Sequence, residues 1–438
     1  TSVTFEFDDA TSRGAYYALD VTNPETPAFL WEVDFDDFTE IGETWSQPRL
    51  AKVPISDNSF KVVAFVGAGY DNNEDLRYGS TQDFIDATSV DINEAASGGT
   101  VDGSGSGQTS TYNTTSLTAA NRNFPRGRGL MALEVALLSR ANATSSYTAT
   151  VNNAGSVFWS YTETDNENLQ YSFASDLTVV DMDGDTFADT IYVGDTGGQL
   201  WRFNISADAN GDGNDDGKAE WYGDIIFDAN AYSSDGTVGR KFFYKPQLAY
   251  VGAPHIYIGS GDREHPLNMA TVDRMYCIID WDQTTSDGIN EEYLEDVTEN
   301  LIQDADTDPV DAASMEKRLY STSSAHYNPD SKLSDYTYGW FIRLDGVDHS
   351  MAVADPNYPD VVLGEKVLAQ PTVFNGEAFF STYQLITGTQ AGCEAGNLGI
   401  SRLYQLDYKT GEAVVNYDVY NDIDDGSIPT NDRAIGGE

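Results

Sequence analysis

Three short elements recur along the chain, and their order leaves few architectures open. The first is a strand ending in an acidic or amide residue. It occurs as Tyr17-Ala18-Leu19-Asp20, Met131-Ala132-Leu133-Glu134, Trp201-Arg202-Phe203-Asn204, Cys277-Ile278-Ile279-Asp280 and Tyr404-Gln405-Leu406-Asp407. The second is a Gln-Pro start, in Ser46-Gln47-Pro48, in Ala369-Gln370-Pro371 and, inverted, in Lys245-Pro246-Gln247. The third is an apolar strand running into glycine: VVAFVGAGYD from Val62, TIYVGDTGG from Thr190 and HIYIGSGDRE from His255. Short alternating runs punctuated by Gly, Asp, Asn and Pro are the mark of antiparallel strands.

In chain order these elements outline four-stranded units. One covers residues 47–161, with strands near 47–53, 61–67, 129–137 and 156–162. Others cover 176–228, 246–345 and 370–418, and a partial unit over 16–35 precedes them. A four-stranded unit repeated at irregular intervals buries its faces against its neighbours, which predicts an all-β β-propeller of antiparallel blades in a single domain over 1–438. The irregular spacing is put down to loop insertions, chiefly about residues 73–126, with a Gly/Ser/Thr-rich stretch over 97–113 that is expected to be mobile. The missing blades are expected upstream of Thr1, where the chain starts abruptly with no signal peptide. Residues 289–303 carry the one convincing helical periodicity, through Tyr293, Leu294, Val297, Leu301 and Ile302.

Charge narrows the function. Lys+Arg number 24 and Asp+Glu 71, a net charge of −47. Such a field repels nucleic acid and anionic membranes, and suits a saline setting or the collection of divalent cations. The 26 Tyr, 20 Phe and 7 Trp exclude a disordered acidic tail. No stretch is long and apolar enough to form a membrane-spanning helix. Cys277 and Cys393 are too few for a disulfide framework or a cysteine zinc site; one bridge and two buried thiols both stay open.

The sharpest local signal is Asp181-Met182-Asp183-Gly184-Asp185-Thr186-Phe187-Ala188-Asp189. Side-chain oxygens at positions 1, 3, 5 and 9 with a backbone carbonyl at 7 wrap a hard cation. Asp181, Asp183, Asp185 and Asp189 are the candidate ligands, with Phe187 supplying its carbonyl, and calcium is the expected ion. The loop is not an EF-hand: Tyr192 stands where a bidentate Glu belongs, Thr186 replaces the usual glycine, and strands flank it. A second loop repeats the spacing with Asp208, Asn210, Asp212, Asn214 and Asp216, although Asn and Gly favour turns unaided. If 176–228 is one blade, both loops lie at the same end of it, about 10 Å apart. The stretch over 422–426 reads as a solvated turn.

Catalytic patterns are mostly absent. His255, His265, His326 and His349 form no metal-ligand spacing, and neither a nucleophile elbow nor a phosphate-binding loop occurs. His265, in Gly261-Asp262-Arg263-Glu264-His265, could line a pocket, but a structural role is favoured, so no enzymatic activity is expected.

The run from Asp181 to Asp185, continued by Ile191-Tyr192-Val193-Gly194-Asp195-Thr196-Gly197-Gly198-Gln199-Leu200-Trp201-Arg202-Phe203, resembles the calcium-binding blade of the PilY-type (PilC-type) tip proteins of bacterial type IV pili. Gly14 to Pro24, Trp45-Ser46-Gln47-Pro48-Arg49, Gly127-Arg128-Gly129-Leu130 and Ile258-Gly259-Ser260-Gly261-Asp262 are similar to the same family, as are the Gln370-Pro371 strand and Ser401 to Asp407. The resemblance implies the modified seven-bladed propeller that ends a larger protein, exported through the periplasm to the pilus tip or outer cell surface. There it would act with minor pilins, promote pilus assembly, oppose retraction and support surface adhesion, with calcium as a switch. The second loop and the large acid excess depart from what the family implies, and no Arg-Gly-Asp tripeptide occurs. Two alternatives remain: a secreted quinoprotein-like dehydrogenase, whose adjacent-cysteine element is absent here, and a calcium-dependent adhesin unrelated to pili.

Overall fold

The computed structural model describes residues 3–5, 14–71, 100–103, 108–112, 126–213, 216–232, 239–266, 268, 271–282, 288–298, 315, 319, 337–344, 364–385, 399–415 and 434–437. Nearly all regular structure is β, as the alternating runs require. The chain divides into two compact units, residues 1–197 with 201–224, and residues 198–200 with 225–438.

In the first unit, β1 (Val3–Phe5) is followed by a hairpin of β2 (Tyr16–Asp20) and β3 (Ala28–Val33). Next come β4 (Arg49–Ser56) and β5 (Ser59–Gly67), then β6 (Thr100–Gly103) and β7 (Gln108–Tyr112). β1, β7 and β6 make a small sheet, and β6 and β7 are all the structure describes of the insertion over 73–126 apart from its last residue. β8 (Gly129–Ser139), β9 (Thr148–Thr150) and β10 (Val157–Thr162) complete a sheet ordered β10-β8-β5-β4, with β9 paired to β8. These are the four strands the repeat outlined. The hairpin turns Tyr16, Trp31 and Val33 onto Ala64, Val66, Met131 and Leu133 of that sheet, which is why β5 and β8 read as apolar runs.

β11 (Thr178–Val180), β12 (Thr190–Gly194), β13 (Gln199–Asn204) and β14 (Tyr222–Asp228) form the next sheet in simple up-and-down order. Within the first unit its aromatic face is dense. Trp201 and Phe203 meet Phe173, and Trp159, Tyr161 and Trp221 crowd the same side at 5.3 to 6.3 Å.

The second unit holds β15 (Gln247–Tyr250), β16 (Pro254–Gly259), β17 (Arg274–Ile279), β18 (Glu295–Asp296) and β19 (Gly339–Arg343), ordered β15-β16-β17-β19-β18. Its last sheet contains β20 (Lys366–Val367), β21 (Thr372–Phe374), β22 (Glu377–Leu385), β23 (Gly399–Asp407) and β24 (Ala434–Gly437). The fourth unit therefore takes its final strand from beyond the expected limit at residue 418, because β24 is the partner that pairs with β23.

The glycines of the third recurring element now have a cause. A Cβ on Gly67 would lie 2.3 Å from the Phe173 carbonyl oxygen, and one on Gly259 would lie 2.5 Å from Val367 Cβ. Gly67 lets the Phe173 backbone approach, and Gly259 makes room for the Val367 side chain of β20. The expected helix over 289–303 does not form in its described part. Glu291–Tyr293 is a single 3-10 turn, capped by the Asn290 side chain on the Glu292 N–H, and β18 follows it, pairing in parallel with Trp340 and Phe341. Cys277 is a buried free thiol whose pKa burial raises, while Cys393 lies outside the described residues.

Candidate metal centre

β11 and β12 pair through Thr178 with Tyr192, Val179 with Ile191 and Val180 with Thr190, and the Asp189 N–H closes the hairpin on the Val180 carbonyl at 2.9 Å. The nine residues between are therefore forced into a tight loop, and acidic side chains fill its inside. Asp181 accepts from the N–H groups of Gly184 and Thr186, both at 2.7 Å. Asp183 accepts from Asp185 N–H at 2.9 Å, Asp185 from Phe187 N–H at 2.7 Å, and Asp189 from Met182 N–H at 2.7 Å. Backbone donors thus offset part of the repulsion among four carboxylates and aim their remaining lone pairs.

Asp181, Asp183 and Asp189 bring one carboxylate oxygen each to within 4.8 Å of the others. Oxygens at 2.3–2.6 Å from a calcium ion stand at most about 5 Å apart, so three hard oxygen donors at this spacing fit calcium. The structure does not bring Asp185 into that group, although its backbone lies in the same loop. Asp189 is half-buried, and its pKa is raised first by desolvation and then by Asp183 and Asp185, against the bond from Met182. Asp181, Asp183 and Asp185 are exposed, so the outer side of the loop is open to water. Gly184 and Thr186 both have positive φ, 83° and 81°. Thr186 adopts a conformation that β-branched residues resist.

The second loop joins β13 to β14 at the same end of the sheet. The Ile205 N–H bonds the Asp189 carbonyl at 2.7 Å just where that loop leaves β13, as the blade reading anticipated. Asp208 accepts from Asp212 N–H at 3.1 Å and Gly213 N–H at 3.0 Å, and Asn210 Oδ1 accepts from Asp212 N–H at 2.8 Å. Asp216 precedes a 3-10 turn over Gly217–Ala219 without capping it by its side chain, and Asn214 lies outside the described residues. Among the described residues, this loop does not gather three carboxylates as closely as the first.

Glu220 is a residue the sequence reading missed. It accepts from the Asn210 amide, and its pKa is raised by desolvation and then by Asp212, Asp216 and Asp208. A glutamate one place beyond the position where an EF-hand keeps its bidentate ligand was the available signal. The acidic stretch over 422–426 lies outside the described residues, as do His326 and His349.

The remaining histidines, His255 and His265, each have a ring nitrogen within hydrogen-bond distance of another group. His255 is buried with Nδ1 3.0 Å from the Ala253 carbonyl, and its pKa is lowered chiefly by burial. His265 Nδ1 is 3.2 Å from Asp262 Oδ2, which also pairs with Lys241 at 2.9 Å. Burial opposes the charge on Asp262, but the His265 and Lys241 contacts outweigh it and hold the carboxyl below its ordinary range. Among the described residues, no helix is long and apolar enough to cross a membrane.

No family model matches the chain. It is 28% identical over 267 residues to the type IV pilus biogenesis factor PilY1 homolog of Xylella fastidiosa (strain Temecula1), a match covering 57% of this chain and 15% of that protein. The match thus spans well under two thirds of the relative's length. Among solved structures the chain is similar to the Pseudomonas aeruginosa PilY1 C-terminal domain, with a TM-score of 0.48 and 14% identity over 92% of this chain and 66% of the other. The PilY-type resemblance drawn from the residues is therefore met in the comparison of sequences.

Proposed function

We propose that this chain is a calcium-binding, non-enzymatic part of a type IV pilus biogenesis factor, acting at the pilus tip or outer cell surface. There it works with minor pilins to promote assembly, oppose retraction and support adhesion. The convergence of Asp181, Asp183 and Asp189 oxygens within 4.8 Å carries the calcium reading. The pilus reading rests on the similarity to the Xylella biogenesis factor. Calcium would supply charge neutralisation at the loop. Asp181, Asp183 and Asp189 would hold it, and closure of the loop on the ion would have to draw in Asp185 and the Phe187 carbonyl. Without it the carboxylates repel one another, so ion binding favours the closed loop by its differential affinity for the two states.

Calorimetric calcium titration of metal-stripped protein tests this, beside Asp181→Ala and Asp212→Ala. One site lost in Asp181→Ala is expected. A further site lost only in Asp212→Ala would assign the second loop as well. Absence of binding at about millimolar calcium, the weak end of natural calcium sites, would remove the mechanism. Co-purification with minor pilins from cells separates the pilus role from a free-standing adhesin.

A further inference from the structure

The ion loop is fastened to something other than its own sheet, and the fastening residues are those between its last ligand positions. Ala188 is buried, and its N–H bonds the Lys52 carbonyl of β4 at 3.0 Å. The Phe187 ring meets Phe60 of β5 edge to face at 5.8 Å. Phe60 in turn packs edge to face on Tyr147 at 4.9 Å, with Lys52 Nζ 5.7 Å from its ring centre. Tyr147 lies under the Arg140 guanidinium at 4.8 Å. Arg140 also bonds Asn58 Oδ1 at 3.3 Å and the Asp57 carbonyl at 3.4 Å, in the turn between β4 and β5. A continuous path of contacts within the first unit therefore runs from the acidic loop, through Phe187, Phe60 and Tyr147, to the turns of two hairpins in the neighbouring sheet.

We propose that Phe187 couples ion occupancy of the 181–189 loop to the docking of the β4–β5 and β8–β9 hairpin ends, through its ring on Phe60 and the adjoining Ala188–Lys52 bond. This rests on the calcium reading above and adds how the site is regulated. The residue whose carbonyl would complete the ion's ligands also carries the ring that meets Phe60. The loop cannot open to release the ion without shifting that ring. Coupling is reciprocal, so loosening Phe60 weakens calcium binding although Phe60 holds no ligand atom. An edge-to-face aromatic pair contributes enough to change affinity about threefold to tenfold.

The test combines calorimetric calcium affinity with amide hydrogen exchange, on the wild type, Phe60→Leu and Tyr147→Ala. Tyr147 is exposed, so its truncation keeps the test open if Phe60→Leu does not fold. The coupling predicts about threefold to tenfold weaker calcium binding in Phe60→Leu and a smaller loss in Tyr147→Ala. It also predicts that calcium slows exchange over 57–61 and 140–149 in the wild type and not in Asp181→Ala. Wild-type binding with unchanged affinity in both aromatic variants, and exchange there indifferent to calcium, would overturn the coupling and leave the calcium site standing. A wild type that binds no calcium would overturn the site and the coupling together.

Discussion

Single residues carry two consequences that solution measurements can reach. Glu40 is buried beside Arg128, and burial, reinforced by Glu163 and Asp71 against the pull of Arg128 and Arg126, pushes its carboxyl pKa up to about 7. A raised carboxyl pKa favours the protonated form in the fold. Its contribution is therefore complete below the unfolded value near 4.5 and is lost as pH rises through about 7. Glu40→Gln should leave urea stability little changed at pH 4 and raise it at pH 8, by up to about 3 kcal/mol. A variant that gains nothing at pH 8 would show that the ionised carboxylate is well compensated. Trp201 is the opposite case. It is fully buried, stacks near Phe203 at 6.1 Å and donates its indole N–H to Asp195 at 2.9 Å. Trp201→Ala should cost about 3–5 kcal/mol in chemical unfolding, since it empties a large volume and removes one donor from the buried Asp195 carboxylate, which keeps the Gly197 N–H.

At the scale of elements, the first acidic loop is built with one residue in a conformation it resists. Thr186 holds φ at 81°, where glycine is at ease. Thr186→Gly removes about 1 kcal/mol of backbone strain. If the bound loop keeps that conformation more strictly than the free one, calcium affinity rises severalfold, and calorimetry reads the change. The stretch over 289–298 teaches the reverse lesson about local signals. Its apolar spacing suits a helix, but Leu294 and Val297 reach the core equally well from a turn and a short strand. The Val297 N–H bonds the Phe341 carbonyl at 3.0 Å, and Ile289 exchanges bonds with Ile226 and Asp228 of β14. Pairing with strands already in place outweighs helical propensity there.

For the molecule as a whole the charge is −47, and among the described residues cations such as Lys61 and Arg402 are committed to Glu134 and Glu365. The surplus acid repels itself, and salt screens it. Thermal stability should rise with sodium chloride up to about 0.5 M even without calcium, as scanning calorimetry would show. Asp181→Ala should leave the calcium-free melting temperature close to wild type, because its side chain is exposed and supports only its own loop. A large drop would make that loop a structural keystone instead of a binding element.

Most strands of the successive four-stranded sheets and the hairpin of the first acidic loop were legible in the residues, because each rests on local rules. Alternation of side chains sets a strand, glycine marks where another segment comes close, and nine consecutive positions suffice to gather three carboxylates. Gly67 and Gly259 could be read as strand ends, but their partners Phe173 and Val367 could not. Only the tertiary structure decided that β24 closes the last sheet and that Phe187 rests on Phe60. Those contacts join segments separated by about thirty to more than a hundred residues. Which pair forms depends on how whole sheets stack, and no short window of sequence contains that information.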